Sequence, residues 1–353
     1  ERLSPALEHV DGSTGALGSA VNGAIDALVP VIRSATASAT VRRKWLERLW
    51  QAFCADEIPY IDRLGDRWGE LCADTQFASE WADRLIALTR ENFASRRSAA
   101  AYPDYFKGTS ACFSALFAAG RYDELFALID DAPYVWWEYR RWGFRVLAEQ
   151  GQRGEALRYA ESSREPTGNS DLAISHACEQ LLLQSGMAEE AYRRYAIATS
   201  GWESTYVNRF RSLAKRYPLK PKAELLRDLV ASTPGAEGKW FAAAKGAGLY
   251  DEAIALANTT PSDPKTLARA ARDFVEKRPA FAVDAALAAL RWFAEGYGYE
   301  VAATDIVAAY RDGLRAAGNA GLVEAYNVRT RDLLVGSTNA FLRTALRFTE
   351  GVE

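Results

Sequence analysis

Asp62, Asp66 and Glu70 recur at every fourth residue, so on one continuous helix their carboxylates share a face, with Glu57 near its start. Carboxylates stacked this way raise one another's proton affinity or hold a cation, the raw material of acid–base catalysis. The same stretch carries Ile61, Leu64, Trp68 and Leu71 at helical spacing, so its opposite face has to be polar. Arg63 and Arg67 stand beside the carboxylates as ready partners. A solvated, ion-paired face accounts for the stripe, and an enzyme with an all-α carboxylate site is kept as a minor alternative.

The other reactive side chains are too few or wrongly spaced for familiar chemistry. His176 and Cys178 form the sole His–Cys pair, and the second histidine is His9. Zinc sites want four ligands, commonly in closely spaced pairs, whereas Cys54 and Cys72 are 18 residues apart. No metal and no other cofactor is expected. The run Gly12-Ser-Thr-Gly-Ala-Leu-Gly18 opens a helical stretch, yet no strand precedes it and no lysine follows, so Asp11–Thr14 reads as an N-cap region. With two histidines a Ser–His–Asp arrangement has almost no material.

The most unusual segment is Tyr134-Val-Trp-Trp-Glu-Tyr-Arg-Arg-Trp-Gly-Phe-Arg145. As a helix it places Tyr134, Trp137 and Arg141 on one side. Aromatics beside arginine stack nucleobases or grip a peptide, but they also fill helix–helix cores with the arginine stems laid over them. The core reading takes most of these rings.

Helical periodicity positions all of these groups. Val41, Trp45, Leu49 and Phe53 form one stripe, and Trp81, Leu85 and Leu88 another. Leu17, Val21, Ala24, Ile25, Leu28 and Ile32 form an amphipathic stripe interrupted by Asn22, Asp26 and Pro30, unlike a membrane span. Period-two alternation is nearly absent, so the chain is expected to be all-α.

Composition agrees with a folded chain: 353 residues, 49% hydrophobic and 25% charged, a net charge of −3 from 43 basic and 46 acidic residues. That balance excludes coating of nucleic acid or an anionic membrane by bulk charge. Four irregularly spaced cysteines (54, 72, 112 and 178) argue against a disulfide framework. With no basic leader before the first helix, a soluble, cytoplasmic protein is expected. The excess of arginine over lysine is what a GC-rich bacterial coding sequence would be expected to give.

Self-similarity organises the helices. Gly120-Arg-Tyr-Asp-Glu-Leu125 matches Gly248-Leu-Tyr-Asp-Glu-Ala253, with weaker copies at Gly151-Gln-Arg-Gly-Glu-Ala156 and Gly186-Met-Ala-Glu-Glu-Ala191. The glycines are 31, 35 and twice 31 residues apart, with breaks at Pro218 and Pro279 in register. Each glycine is expected to end one helix, each acid to sit at the next helix's N-terminus, and each alanine to permit close helix approach. Gly318 is expected to close the last unit.

This pattern resembles the tetratricopeptide (TPR) repeat, with Gly in its turn, Tyr122 and Tyr250 two residues later, and a small residue five later. The family's helix-A tryptophan is replaced by Thr109, Arg140 and Ser175. The resemblance implies a TPR-like α-solenoid of antiparallel helix pairs over residues 103–320, an N-terminal helical subdomain over 1–102, and a capping helix or helix pair over 321–353. It implies no activity.

In such arrays helix A lines a concave groove. The family's inward positions fall here on Lys107, Ser110, Ser114 and Phe117, then Glu138, Arg141 and Arg145, then His176 and Gln180, then Val207, Arg211 and Lys215, then Lys245. Together with Trp137, the residues expected to bind are Lys107, Arg141, Arg145, His176, Arg211 and Lys215. A basic groove in a near-neutral chain suits the acidic segment of a protein or peptide. The leading expectation is therefore a non-enzymatic scaffold. The alternative is a nucleic-acid-associated or defence-system accessory protein using the Arg/aromatic segment 134–145.

Overall fold

Gly120, Gly151, Gly186 and Gly248 each end a helix in the left-handed conformation, with φ between 70° and 84°. Behind each glycine the following N–H closes back onto the carbonyl five residues earlier: Arg121 to Leu116, Gln152 to Leu147, Met187 to Leu182 and Leu249 to Ala244. Those four residues share φ near −81° to −97° and ψ of 51° to 73°, and the next helix starts immediately after. The turn is thus the same local structure four times over. Ala156, Ala191 and Ala253 are fully buried, as a close helix approach requires.

The computed structural model describes residues 15–56, 60–98, 106–165 and 168–347, and every regular element among them is helical. His9, Glu57, Pro103 and Asp11–Thr14 lie outside the described residues. Contacts divide the chain into two units, Glu1–Leu181 and Leu182–Glu353.

The first unit contains α1 (Ala16–Ser34), α2 (Ala39–Cys54), α3 (Arg63–Asp66), α4 (Trp68–Cys72), α5 (Thr75–Ser98), α6 (Gly108–Ala118), α7 (Tyr122–Asp130), α8 (Trp137–Glu149), α9 (Arg153–Glu161) and most of α10 (Asp171–Gln184). Helix α6 is its hub, packed by α3, α4, α5, α7 and α8. Trp50, Trp68 and Trp81 meet with ring centroids 4.9–5.3 Å apart and belong to the same hydrophobic core as Phe113, Leu125 and Trp142. The N-terminal helices therefore share a core with α6–α8, and the contact division falls between Leu181 and Leu182.

The second unit continues through α11 (Ala188–Ala191), a π-turn at Tyr192–Ala196, α12 (Ile197–Thr199), α13 (Tyr206–Arg216), α14 (Lys222–Ala231), α15 (Phe241–Ala247), α16 (Tyr250–Thr259), α17 (Pro264–Phe274), α18 (Pro279–Ala294), α19 (Ala303–Ala320), α20 (Val323–Gly336) and α21 (Ala340–Arg347). Alternate helices touch: α13 with α15, α17 with α19, α16 with α18, and α18 with α20. Helix α18 is buried on nearly every face, and Trp292 anchors it by donating Nε1–H to the Ala257 carbonyl at 2.8 Å.

Several expectations give way to packing. Helix α19 runs through Gly318 and closes at Gly321, whose φ is 70°. Gly313, not Gly318, is the tight position, because a Cβ there would sit 2.3 Å from Tyr326 Oη. The buried face of α2 is Arg42, Leu46, Trp50 and Phe53, one residue off the expected stripe, and Val41 is exposed. Arg42 on this face donates to the carbonyls of Ile32 (3.2 Å) and Ala35 (2.7 Å), satisfying the C-terminal end of α1. On α1 itself Val21, Ile25 and Val29 are buried while Leu28 is exposed. By length and composition alone α1 passes the test for a membrane-crossing helix, and it is the one described helix that does.

Candidate functional site

The carboxylate stripe does not lie on one helix. A break at Arg67 separates α3 from α4, and Asp62 precedes α3. This lets the three acids reach different partners. Lys107 Nζ lies 3.6 Å from Asp62 and also donates to the Asp56 carbonyl. Arg141, on α8, pairs with Asp66 and with Glu138 (3.5 Å). Arg67 holds Glu70 at 2.9 Å. Arg63 turns away to Asp26 at 2.8 Å. The acidic stripe and two of the basic helix-A positions, read separately in the sequence, thus meet each other.

Ser114 on α6 locks this contact. Its Oγ donates to the Asp66 carbonyl (2.9 Å) and accepts the Gly69 N–H (3.0 Å). Gly69 permits the approach, since a Cβ there would stand 2.3 Å from the Ser114 carbonyl oxygen. The chain just beyond, at Ala73, takes a left-handed φ of 68° to re-enter α5.

Next to these pairs lies a cavity of about 540 Å³, lined by residues of α4, α6 and α8 and by Arg33 at the end of α1. Its distinctive group is Arg145. The guanidinium lies 4.4 Å from the ring centroids of both Phe117 and Trp142. Crowding by these rings and by the rest of the site lowers its proton affinity, and the Arg141 charge lowers it further, with Glu70 and Asp66 opposing. Its side chain nonetheless keeps access to solvent. Among the described residues no carboxylate lies within ion-pair distance of Arg145.

The remaining expected residues are distributed as follows. Trp137 is 4% exposed and packs on Phe144, so it is core and offers no surface to a partner. The helix of the aromatic segment begins at Trp137, leaving Tyr134 outside it, stacked on Trp136 at 4.8 Å. His176 is half-buried on α10 beside buried Ser175 and Cys178. In the second unit Arg211 and Lys215 stand one turn apart on α13, both exposed and without an ion-pair partner among the described residues. Lys245 is half-buried on the adjacent α15, likewise unpaired.

The four cysteines are free, with Cys54 exposed and the others buried. Burial pushes the Cys72 and Cys112 thiols up to about 12, which leaves them protonated and unreactive at neutral pH. Among the described residues no three His, Cys, Asp or Glu side chains gather where a metal ion would bind. Arg42, Gly69 and the unpaired state of Arg145 escape a reading of spacing, because each depends on a helix remote in sequence.

Scans against family models, curated proteins and solved structures return no match for this chain.

Proposed function

We propose that the chain is a non-enzymatic helical-repeat protein, TPR-like in its helix-pair arrangement, that takes an acidic segment of a partner protein on basic helix-A side chains. The four superimposable glycine turns support the repeat reading. One observation carries the function. In the first unit the helix-A positions Lys107 and Arg141 already hold carboxylates of an acidic segment, Asp62 and Asp66, supplied by the chain itself. Two further basic positions in the second unit, Arg211 and Lys215, hold none among the described residues. Unpaired cations one turn apart on a helix suit a carboxylate-bearing segment, and arginine adds bidentate geometry.

The test is fluorescence anisotropy with a labelled ten-residue oligoglutamate peptide, set against a labelled ten-nucleotide oligothymidylate. The wild-type chain should bind the peptide, and Arg211→Ala with Lys215→Ala should weaken it at least tenfold. Thermal unfolding should stay nearly unchanged, because exposed charges contribute at most about 1 kcal/mol each. Peptide binding indifferent to both substitutions refutes the proposal. Preference for the oligonucleotide, with affinity falling steeply as salt rises, selects a nucleic-acid partner instead.

A further inference from the structure

The geometry points to a second, separate site in the first unit: the cavity beside Arg145 binds a small organic oxyanion, a carboxylate or phosphate carried on a compact molecule. The volume, about 540 Å³, is in the range of small-molecule sites and too confined for a folded partner. Two arginines line it, Arg145 from α8 and Arg33 from the last turn of α1, and neither has an ion-pair partner among the described residues. The neighbouring acids do not change this. Asp66 is engaged by Arg141 and Glu70 by Arg67. Asp74 caps α5 by accepting the Phe77 N–H at 2.9 Å. Glu149, which also lines the cavity, makes no ion pair with either arginine.

Physical chemistry supplies the direction. An anion entering the cavity gains charge-assisted hydrogen bonds from guanidinium groups that no carboxylate among the described residues already holds. The Phe117 and Trp142 rings under Arg145 hold its planar fork in one orientation, so little freedom is lost when the anion arrives. Gly69, Ala73 and Ala118 leave the room beside these groups. Arg33 joins from a different helix, so the two cations reach the anion from separate elements.

The experiment is isothermal titration of the full chain, at constant ionic strength, with inorganic phosphate, phenyl phosphate and benzoate. At least one should bind saturably at one site per chain, and Arg145→Gln should weaken that binding at least tenfold. Arg145→Lys, which keeps the charge and loses the fork, should fall between. A phosphate preference assigns a phosphoryl ligand, and a benzoate preference a carboxylate. No saturable binding of any of the three, or equal binding by Arg145→Gln, overturns the inference. Should Arg145→Gln fold poorly, Arg33→Gln, on the exposed end of α1, decides by the same criterion.

Discussion

Adding one methyl group at Gly69 tests whether the α4–α6 contact organises the first unit. The Cβ of Gly69→Ala would lie 2.3 Å from the Ser114 carbonyl oxygen, 2.6 Å from Ala118 Cβ and 3.0 Å from the Ser114 carbonyl carbon. Two of these are backbone atoms of α6, so no side-chain rotation relieves the clash and α4 has to move away. Overpacking of this kind costs about 1–3 kcal/mol. Displacement also stretches the Gly69 N–H to Ser114 hydrogen bond, worth about 1 kcal/mol. The better helix propensity of alanine returns about 1 kcal/mol. The net loss is about 1–3 kcal/mol, or roughly 2–12 °C in the melting temperature of a unit this size. Gly154→Ala is the control, because it sits on exposed α9 with its nearest neighbour, Arg158 Nη1, at 3.7 Å. That variant should gain about 0.5–1 kcal/mol. Urea unfolding followed by tryptophan fluorescence reads both, since Trp50, Trp68 and Trp81 cluster in the affected core. Gly69→Ala within about 0.5 kcal/mol of wild type, the range of a neutral surface change, would refute the close-contact reasoning.

Two further outcomes are expected. Ala253→Leu should cost about 1–3 kcal/mol by overpacking a fully buried helix crossing, and an unchanged urea midpoint would remove the small-residue rule from the repeat. The buried thiols should weaken the fold in alkali: Cys72 and Cys112 are held near 12 against an ordinary 9.0, so their stabilisation is complete below about pH 9 and lost as pH rises. At pH 10 the loss is about 1.4 kcal/mol for each, measured as urea midpoints from pH 8 to 10, and the Cys72→Ala, Cys112→Ala double variant should show a flatter profile.

The turns and their spacing were legible because they are local. A glycine and an acid three or four residues later specify a helix end and a helix start within one stretch of chain, and alanine at the fifth position in three of the four copies adds a close approach. Gly120, Gly151, Gly186 and Gly248 accordingly behave alike. The all-helical class followed from periodicity for the same reason. Periodicity was less able to say which stripe of an amphipathic helix faces inward when two are plausible, and on α2 it chose the neighbour of the buried one.

Charge was where sequence and tertiary structure parted. Residue types and spacing established that an acidic stripe exists near Asp62–Glu70 and a basic series along the helices from Lys107 onward. Whether those groups were catalytic, solvated or mutually paired depended on segments up to 75 residues apart in the chain, as Asp66 and Arg141 are. Folding brings Asp62 to Lys107 and Asp66 to Arg141, while Arg145, one helical turn from Arg141, is left over aromatic rings without a counter-ion among the described residues. Coulomb attraction acts through space and desolvation depends on what surrounds a group, so neither is encoded by spacing along the chain. The local turn, by contrast, is closed by backbone hydrogen bonds spanning five residues, and there the sequence alone sufficed.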